Sequence, residues 1–209
     1  KFTKRYSTFY VKSNYGSFGW GVCRVKKEDG FYLCQTGGVE VEEWKCQNTV
    51  KLYQLLLEKV GCDAVLQEGI TLEAIDGKPF DMRVLVQKGI EGKWLISAVS
   101  LRIAGPEAVV TNISSGADEI IVGPGEELPH TELSWEKLRI FCEKVTLALE
   151  AAFGTLGEIG LDVGLSVGRK LWLLEANSKP NTVDYRDLTT EAVCRQVYGL
   201  PMDYAKYLA

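Results

Sequence analysis

The sequence is nearly without histidine: His130, between Pro129 and Thr131, is the one such residue in 209. That scarcity rules out histidine-rich metal centres and leaves any Ser/His/Asp arrangement dependent on a single ring. Long apolar runs are missing as well. The longest extend only a few residues, against the roughly 20 needed to span a bilayer, and no signal-peptide pattern opens the chain. Basic runs are also absent, and 24 Lys and Arg against 28 Asp and Glu give a net charge of -4. This balance argues against a binder of duplex DNA or of an anionic lipid surface. The expectation is a soluble, globular, cytoplasmic protein with no nucleic-acid or membrane partner.

Several motifs are missing too. The six cysteines (Cys23, Cys34, Cys46, Cys62, Cys142, Cys194) form no Cys-x-x-Cys pair and mostly lie among apolar neighbours, so they read as buried free thiols of a reducing compartment. No Gly-Lys-Ser/Thr follows a glycine loop, which excludes a Walker A site, and no glycine fingerprint stands between a strand and a helix. Gly19-Trp20-Gly21-Val22 hints at a kinase loop, but no His-Arg-Asp or Asp-Phe-Gly occurs. The chain opens at Lys1 directly in a Tyr/Phe/Val-rich segment, as expected of a piece trimmed from a longer protein.

What is present reads as strands followed by a helix, twice. Phe9-Tyr10-Val11, Trp20 to Val25 and Phe31 to Gln35 are strand candidates, joined by glycine-containing connections. After Asn48, apolar Val50, Tyr53, Leu56, Leu57 and Val60 fall at helical spacing and Gly61 ends the pattern. Ala64 to Glu68 is a further strand, with Gly69 as a hinge. Phe80 to Gln87 and Trp94 to Ile103 predict an antiparallel pair, and Gly116 to Pro129 a loop. Ser134 is an N-cap for a helix lined by Leu138, Phe141, Cys142, Val145, Leu149, Ala152 and Phe153, stopped by Gly154. Gly157 to Ser166 and Leu171 to Asn177 are strands, Thr189 to Tyr198 a helix, and Pro201 starts a closing turn. The order favours an α+β class with mainly antiparallel sheets.

Three stretches could carry chemistry. On Leu171 to Asn177, alternation puts Glu175 and Asn177 on one face. On the strand before it, Asp162 stands between Gly160 and Gly164. If these strands pair, Asp162 and Glu175 approach closely enough to need a cation, and Mg²⁺ suits such oxygen donors; a solvated rim of carboxylates is the alternative. The run Val11 to Gly21, with Lys12, Gly16, Ser17 and Gly19, suits phosphate oxygens, or is a plain glycine-rich hairpin. Arg83 and Arg102 end on one face of an antiparallel pair, where they clamp a carboxylate or phosphate, or simply pair with Asp81.

Taken in order, Tyr10-Val11-Lys12 with its glycine hairpin, Leu66 to Ile70, Asp81-Met82-Arg83, Arg102, Thr111-Asn112, Asp162 and Glu175-Ala176-Asn177 resemble the ATP-grasp superfamily. The chain looks most like its spore-coat-associated YheC/YheD type, with Phe80 to Gln87 and Asn177-Ser178-Lys179-Pro180 the nearest stretches. The resemblance implies ATP and Mg²⁺ held between two lobes, 1–70 and 71–209. Lys12, Gly16, Ser17 and Gly19 would cover the phosphates, Gln67, Glu68 and Ile70 would line the adenine pocket, and Glu73 would meet the ribose. Asp162, Glu175 and Asn177 would hold the metal, and Arg83, Arg102 and Asn112 would address the γ-phosphate or a substrate carboxylate. The implied activity is ADP-forming carboxylate-amine ligation of a small carboxylate or amine acceptor through an acyl phosphate. The alternatives are a coat-associated binding protein of the same fold without turnover, and a small-molecule kinase. Two departures stand out: the sequence begins where the α/β domain that usually precedes such ligases would end, and Ser114-Ser115-Gly116-Ala117 occupies the place of a Gly-Gly pair. A missing N-terminal domain or coat proteins are the further partners implied.

Overall fold

A computed structural model describes residues 2–15, 21–36, 41–105, 118–182, 185 and 189–209. The chain divides into two compact units, residues 1–71 with 76–79 and 103–118, and residues 72–75, 80–102 and 119–209. No helix among the described residues is long and apolar enough to cross a membrane.

The first unit starts with a helical turn, α1 (Phe2–Arg5), and holds strands β1 (Thr8–Ser13), β2 (Val22–Glu28), β3 (Phe31–Thr36), β4 (Glu43–Cys46) and β5 (Ala64–Glu68), with helix α2 (Thr49–Lys59). The strands form one sheet in the order β4-β3-β2-β1-β5, every pair antiparallel. Period-two alternation sends Phe9, Val11, Cys23, Val25, Cys34 and Cys46 into one core, which Leu52 and Val60 close from the α2 side. Asn48 caps α2, its side chain accepting from the Val50 and Lys51 amides. The buried stripe of α2 differs from the one the spacing suggests. Leu56 and Val60 pack inward with Leu52, whereas Val50, Tyr53 and Leu57 are exposed. The helix carries apolar residues on two sides, so periodicity alone does not choose between them.

Cys23, Cys34, Cys46 and Cys142 are buried as expected, whereas Cys194 is half-buried and Cys62 is exposed. All six are free, and burial pushes Cys46 up to about 11 and Cys142 up to about 12. Gly69 fits its place because a side chain would not: a Cβ there would lie 2.7 Å from Thr8 Cγ2 and 2.9 Å from the Thr8 carbonyl.

The second sheet contains β6 (Ala74–Ile75), β7 (Lys78–Lys88), β8 (Trp94–Ile103), β9 (Asp118–Val122), β10 (Glu158–Leu165) and β11 (Leu171–Asn177), ordered β11-β10-β7-β8-β9 with β6 beside β7. Helices α3 (Trp135–Phe153) and α4 (Glu191–Leu208) accompany it. Ser134 and Gly154 bound α3 as the sequence predicts, with Gly154 at φ 85°. Leu138 and Cys142 of its predicted face are buried, and Phe153 projects into solvent. Strand β9 corrects the loop expected over 116–129: Asp118–Val122 is a short strand at the end of the sheet order. The β7 strand is buried on both faces, with Met82, Val84 and Val86 on one side and Asp81, Arg83, Leu85 and Gln87 on the other. Leu85 packs with Ala98, Val193 and Val197, which joins α4 to the second of these faces.

The C-terminus brings a second correction. Pro201 does not start a separate turn but lies inside α4, which runs unbroken to Leu208. Proline has no N–H to give the carbonyl four residues earlier, and that carbonyl belongs to Val197. Gln87 of β7 supplies the missing donor: its Nε2 reaches the Val197 oxygen at 3.0 Å and also donates to Glu158. The helix break becomes a tertiary hydrogen bond.

Replacing Gln87 by Met strands a buried carbonyl and is expected to cost about 1–3 kcal/mol. Pro201→Ala restores the helical donor, so in urea unfolding the double variant should lose clearly less than the two single changes added together, with a coupling of about 0.5–3 kcal/mol. Strict additivity would disprove the link.

Candidate functional site

The second unit gathers the predicted polar residues onto adjacent strands. In the antiparallel register Asp162 of β10 lies opposite Arg83 of β7 on one side and Glu175 of β11 on the other. Gly160 faces Asn177, and Gly164 faces Asp81. Pairing of Asp162 with Glu175 is thus as the sequence suggests, with a register irregularity just after Asp162. A bulge there re-aims side chains at the point where the carboxylates meet.

The charge partners differ from the simplest expectation. Arg83 does not pair with its own strand neighbour Asp81. Its Nε donates to Asp162 Oδ1 and its Nη2 to Oδ2 at 3.0 Å, forming a two-pronged bridge across strands. Arg102 of β8 takes Asp81 instead, with Nε to Oδ1 at 2.7 Å and Nη2 to Oδ2 at 2.8 Å, and its Nη2 also lies 3.2 Å from Asp162 Oδ2. The result is a chain, Asp81–Arg102–Asp162–Arg83, with two charges of each sign. Asp81, Arg102 and Asp162 are only 3%, 4% and 6% exposed, so desolvation is severe and the pairing compensates it. Burial works against the Arg102 charge, but Asp81 and then Asp162 outweigh it and hold this guanidinium above its ordinary range.

Next to this chain, Tyr185 is buried, and its phenol is pushed up to about 12 by burial and by the negative charge of Glu119. Glu119 accepts the Ser100 hydroxyl. The sequence assigns no site role to Asp81, though Asp81-Met82-Arg83 is one of its motifs, and none to Tyr185. Asp81 had a signal in its alternation with Arg83, whereas Tyr185 stands in no recognisable pattern.

Glu175 is exposed, and Asn177 Nδ2 is buried without a hydrogen-bond partner among the described residues. Gly160 opposite it makes room for the Arg83 stem: a Cβ there would lie 3.3 Å from Arg83 Cδ and 2.9 Å from Pro180 Cβ. Two carboxylates and an amide oxygen on paired strands form an oxygen-donor set of the kind Mg²⁺ takes, whereas the unpartnered Asn177 Nδ2 is a hydrogen-bond donor and suits an anionic oxygen. Asp162, however, already accepts from two guanidinium groups. Among the described residues, no group of three or more His, Cys, Asp or Glu side chains is arranged to hold a metal.

The remaining predicted residues divide as follows. In the first unit, Lys12 of β1 and Gln67 of β5 lie on the same face, opposite the core, since Lys12 pairs with Val65 and Tyr10 with Gln67. Glu68 pairs with Phe9 and so falls on the other face, and Ile70 follows the strand half-buried. In the second unit Glu73 is held through its backbone, its N–H donating to Leu165 O at 2.7 Å and its carbonyl accepting from Phe80. Gly16, Ser17, Gly19, Asn112 and the run Ser114 to Ala117 lie outside the described residues.

Known proteins supply an independent comparison. The family model described as YheC/D like ATP-grasp matches residues 1–208. The endospore coat-associated protein YheD of Bacillus subtilis is 25% identical over 221 residues, covering 98% of this chain and 46% of YheD. The endospore coat-associated protein YheC of the same organism is 24% identical over 147 residues, covering 69% of this chain and 40% of YheC. The chain therefore spans less than half the length of either relative. Among solved structures, the biotin carboxylase domain of Hydrogenobacter thermophilus 2-oxoglutarate carboxylase, crystallised with MgADP, ADP and bicarbonate, aligns with a TM-score of 0.50. It is 13% identical over 93% of this chain and 36% of that one.

Arg102→Met would leave two buried carboxylates with a single guanidinium and is expected to cost about 3–5 kcal/mol in urea unfolding. Arg102→Lys keeps the charge but not the fork and should recover less than half of that loss. Full recovery by lysine would mean that charge alone, and not the forked geometry, holds the chain of residues together.

Proposed function

From the premise that the chain belongs to the YheC/D-like ATP-grasp family, we propose that it binds ATP with Mg²⁺ and supports ligation of a carboxylate to an amine. The observation that carries the reading is the row Arg83–Asp162–Glu175, with the unpartnered Asn177 Nδ2, a donor suited to a phosphate oxygen, beside it. Glu175 and Asn177 would hold the metal together with Asp162, and a bound Mg²⁺ would neutralise phosphate charge at this point. Lys12 with Gly16, Ser17 and Gly19 would meet the phosphates, Gln67, Glu68 and Ile70 the adenine, and Glu73 the ribose. In the ligase reaction an acceptor carboxylate attacks the γ-phosphorus of ATP, ADP leaves, and an amine displaces phosphate from the acyl phosphate. Little proton transfer is asked of the protein, which suits a chain with one histidine.

The residues divide this work unequally. Arg102 is buried and committed to Asp81 and Asp162, so it acts by fixing the other groups. Arg83, partly open to solvent, is the guanidinium that would meet an anion, as would Asn112. A cytoplasmic setting goes with this reading.

A second reading rests on its own observation. Both oxygens of Asp162 are already occupied by guanidinium groups, which favours a fold that holds nucleotide, or a coat protein, without turnover. The names of the relatives, endospore coat-associated proteins, agree with this.

Thermal unfolding with ATP, in Mg²⁺ and in EDTA, tests the proposal. Ligand at about 100 times its Kd stabilises the folded state by about 2.7 kcal/mol, so the wild-type midpoint should rise with Mg²⁺ and ATP together. Glu175→Gln, an exposed change, should abolish the metal-dependent part of that rise. No rise at millimolar ATP would reject nucleotide binding. ADP release that no acceptor accelerates would support the second reading over the ligase.

A further inference from the structure

Away from the strand-end carboxylates, the second unit has a groove of about 400 Å³ between α3 and the turn joining β10 to β11. Lys137, Lys144, Arg169 and Lys170 line it above a floor of Ile140, Phe141 and Leu171, and no carboxylate takes part in its lining. In a chain of net charge -4 such a concentration of cations runs against the average. Their compensation is also unusual. Among the described residues, Lys137 Nζ donates only to a main-chain oxygen, that of Arg169, at 2.6 Å. Lys170 Nζ lies 3.8 Å from the Trp172 ring centroid, a contact that keeps its charge. Lys144 has no partner among the described residues. Arg169 pairs with Glu132, which belongs to the adjoining cavity and not to the groove.

The contrast within α3 is informative. Arg139 on the same helix is bridged by Glu136 and Glu143, at 2.8 and 3.0 Å. One face of the helix neutralises its charge and the groove face does not. Arg169 also adopts a left-handed backbone, φ 57°, beside a glycine at 168 that would take that conformation without strain.

We propose that this groove binds an extended acidic segment of a partner protein, whose carboxylates meet Lys137, Lys144 and Lys170 while an apolar side chain between them rests on Ile140 and Phe141. Spacing selects this occupant. Lys137 and Lys144 are seven residues apart, roughly 10 Å along the helix, too far for one phosphate group to bridge. Acidic residues four positions apart on an extended chain span about 13 Å, within reach of the long lysine side chains, and leave the residue midway between them on the same face. A nucleic-acid strand would need stacking platforms, but Phe141 is the one aromatic ring lining the groove, and the chain's net negative charge opposes a dense polyanion. The inference does not depend on nucleotide binding.

The probe is a fluorescein-labelled peptide of about twelve residues repeating Glu-Ser-Leu-Ser, which puts Glu and Leu on one face of an extended chain, followed by anisotropy at about 50 mM salt. The wild type should bind it, and Lys137→Gln/Lys144→Gln should weaken binding by about tenfold or more. Lys144→Gln, which breaks no contact, should weaken it severalfold with an unchanged melting temperature, and Arg139→Gln should leave it unaltered. Four results would overturn the proposal: no binding at about 1 mM protein; equal loss in Arg139→Gln, which would indicate a general field; equal affinity for a Glu/Ser peptide; or preference for a single-stranded oligonucleotide or for inorganic phosphate.

Discussion

The second unit is organised around a buried chain of four charges, Asp81–Arg102–Asp162–Arg83, drawn from three strands. Apolar alternation alone would accept a strand slipped by two residues, since Met82, Val84 and Val86 would still face Leu161 and its neighbours. The guanidinium forks would not accept it. A two-residue slip separates Arg83 from Asp162, and a one-residue slip turns the carboxylate to the opposite face. Buried charge contributes little net stability compared with well-packed apolar residues, but a broken pair is costly. In this sheet that asymmetry works as a register lock.

The same lock shapes the chemistry available nearby. Two adjacent carboxylates normally demand a cation or a proton. Asp162 has its cations built in, so Glu175 is the exposed carboxylate of the predicted metal set, and Asn177 beside it keeps an unpartnered Nδ2 donor among the described residues. A ligand at this point therefore meets a site whose charge is already half balanced. The ligase and binding-only readings differ in whether Arg83 shares Asp162 with that ligand or keeps it.

Much of this was legible in the sequence because it depends on period-two alternation. The strand pairing of Asp162 with Glu175, the caps at Ser134 and Gly154, and the bounds of β5, β8 and β11 all follow from local pattern. What escaped depends on distant partners. Pro201 reads as the start of a separate turn until Gln87, from a strand over a hundred residues away, takes the freed carbonyl. The inward face of α2 is decided by the sheet beneath it, and Val50 and Tyr53 are exposed despite their spacing. The preference of Arg102 for Asp81, and of Arg83 for Asp162, follows from the order of β8, β7 and β10, which no strand encodes alone.

Across the sheet from β8 to β11 the polar groups pass from fixed to free. Arg102 and Asp81 are buried and doubly bonded, Asp162 is shared between two guanidiniums, Arg83 is partly open, and Glu175 stands exposed on the last strand of the order. Such a gradient suits binding of a charged ligand. Groups that must hold a geometry lie where packing immobilises them, supported on one side by Leu85, Ala98, Val193 and Val197. Groups that must exchange water for a ligand lie where water reaches them. Were the order reversed, with the fork pairs at the rim and a lone carboxylate inside, the pairs would be screened to near irrelevance and the buried carboxylate would be driven toward its neutral form.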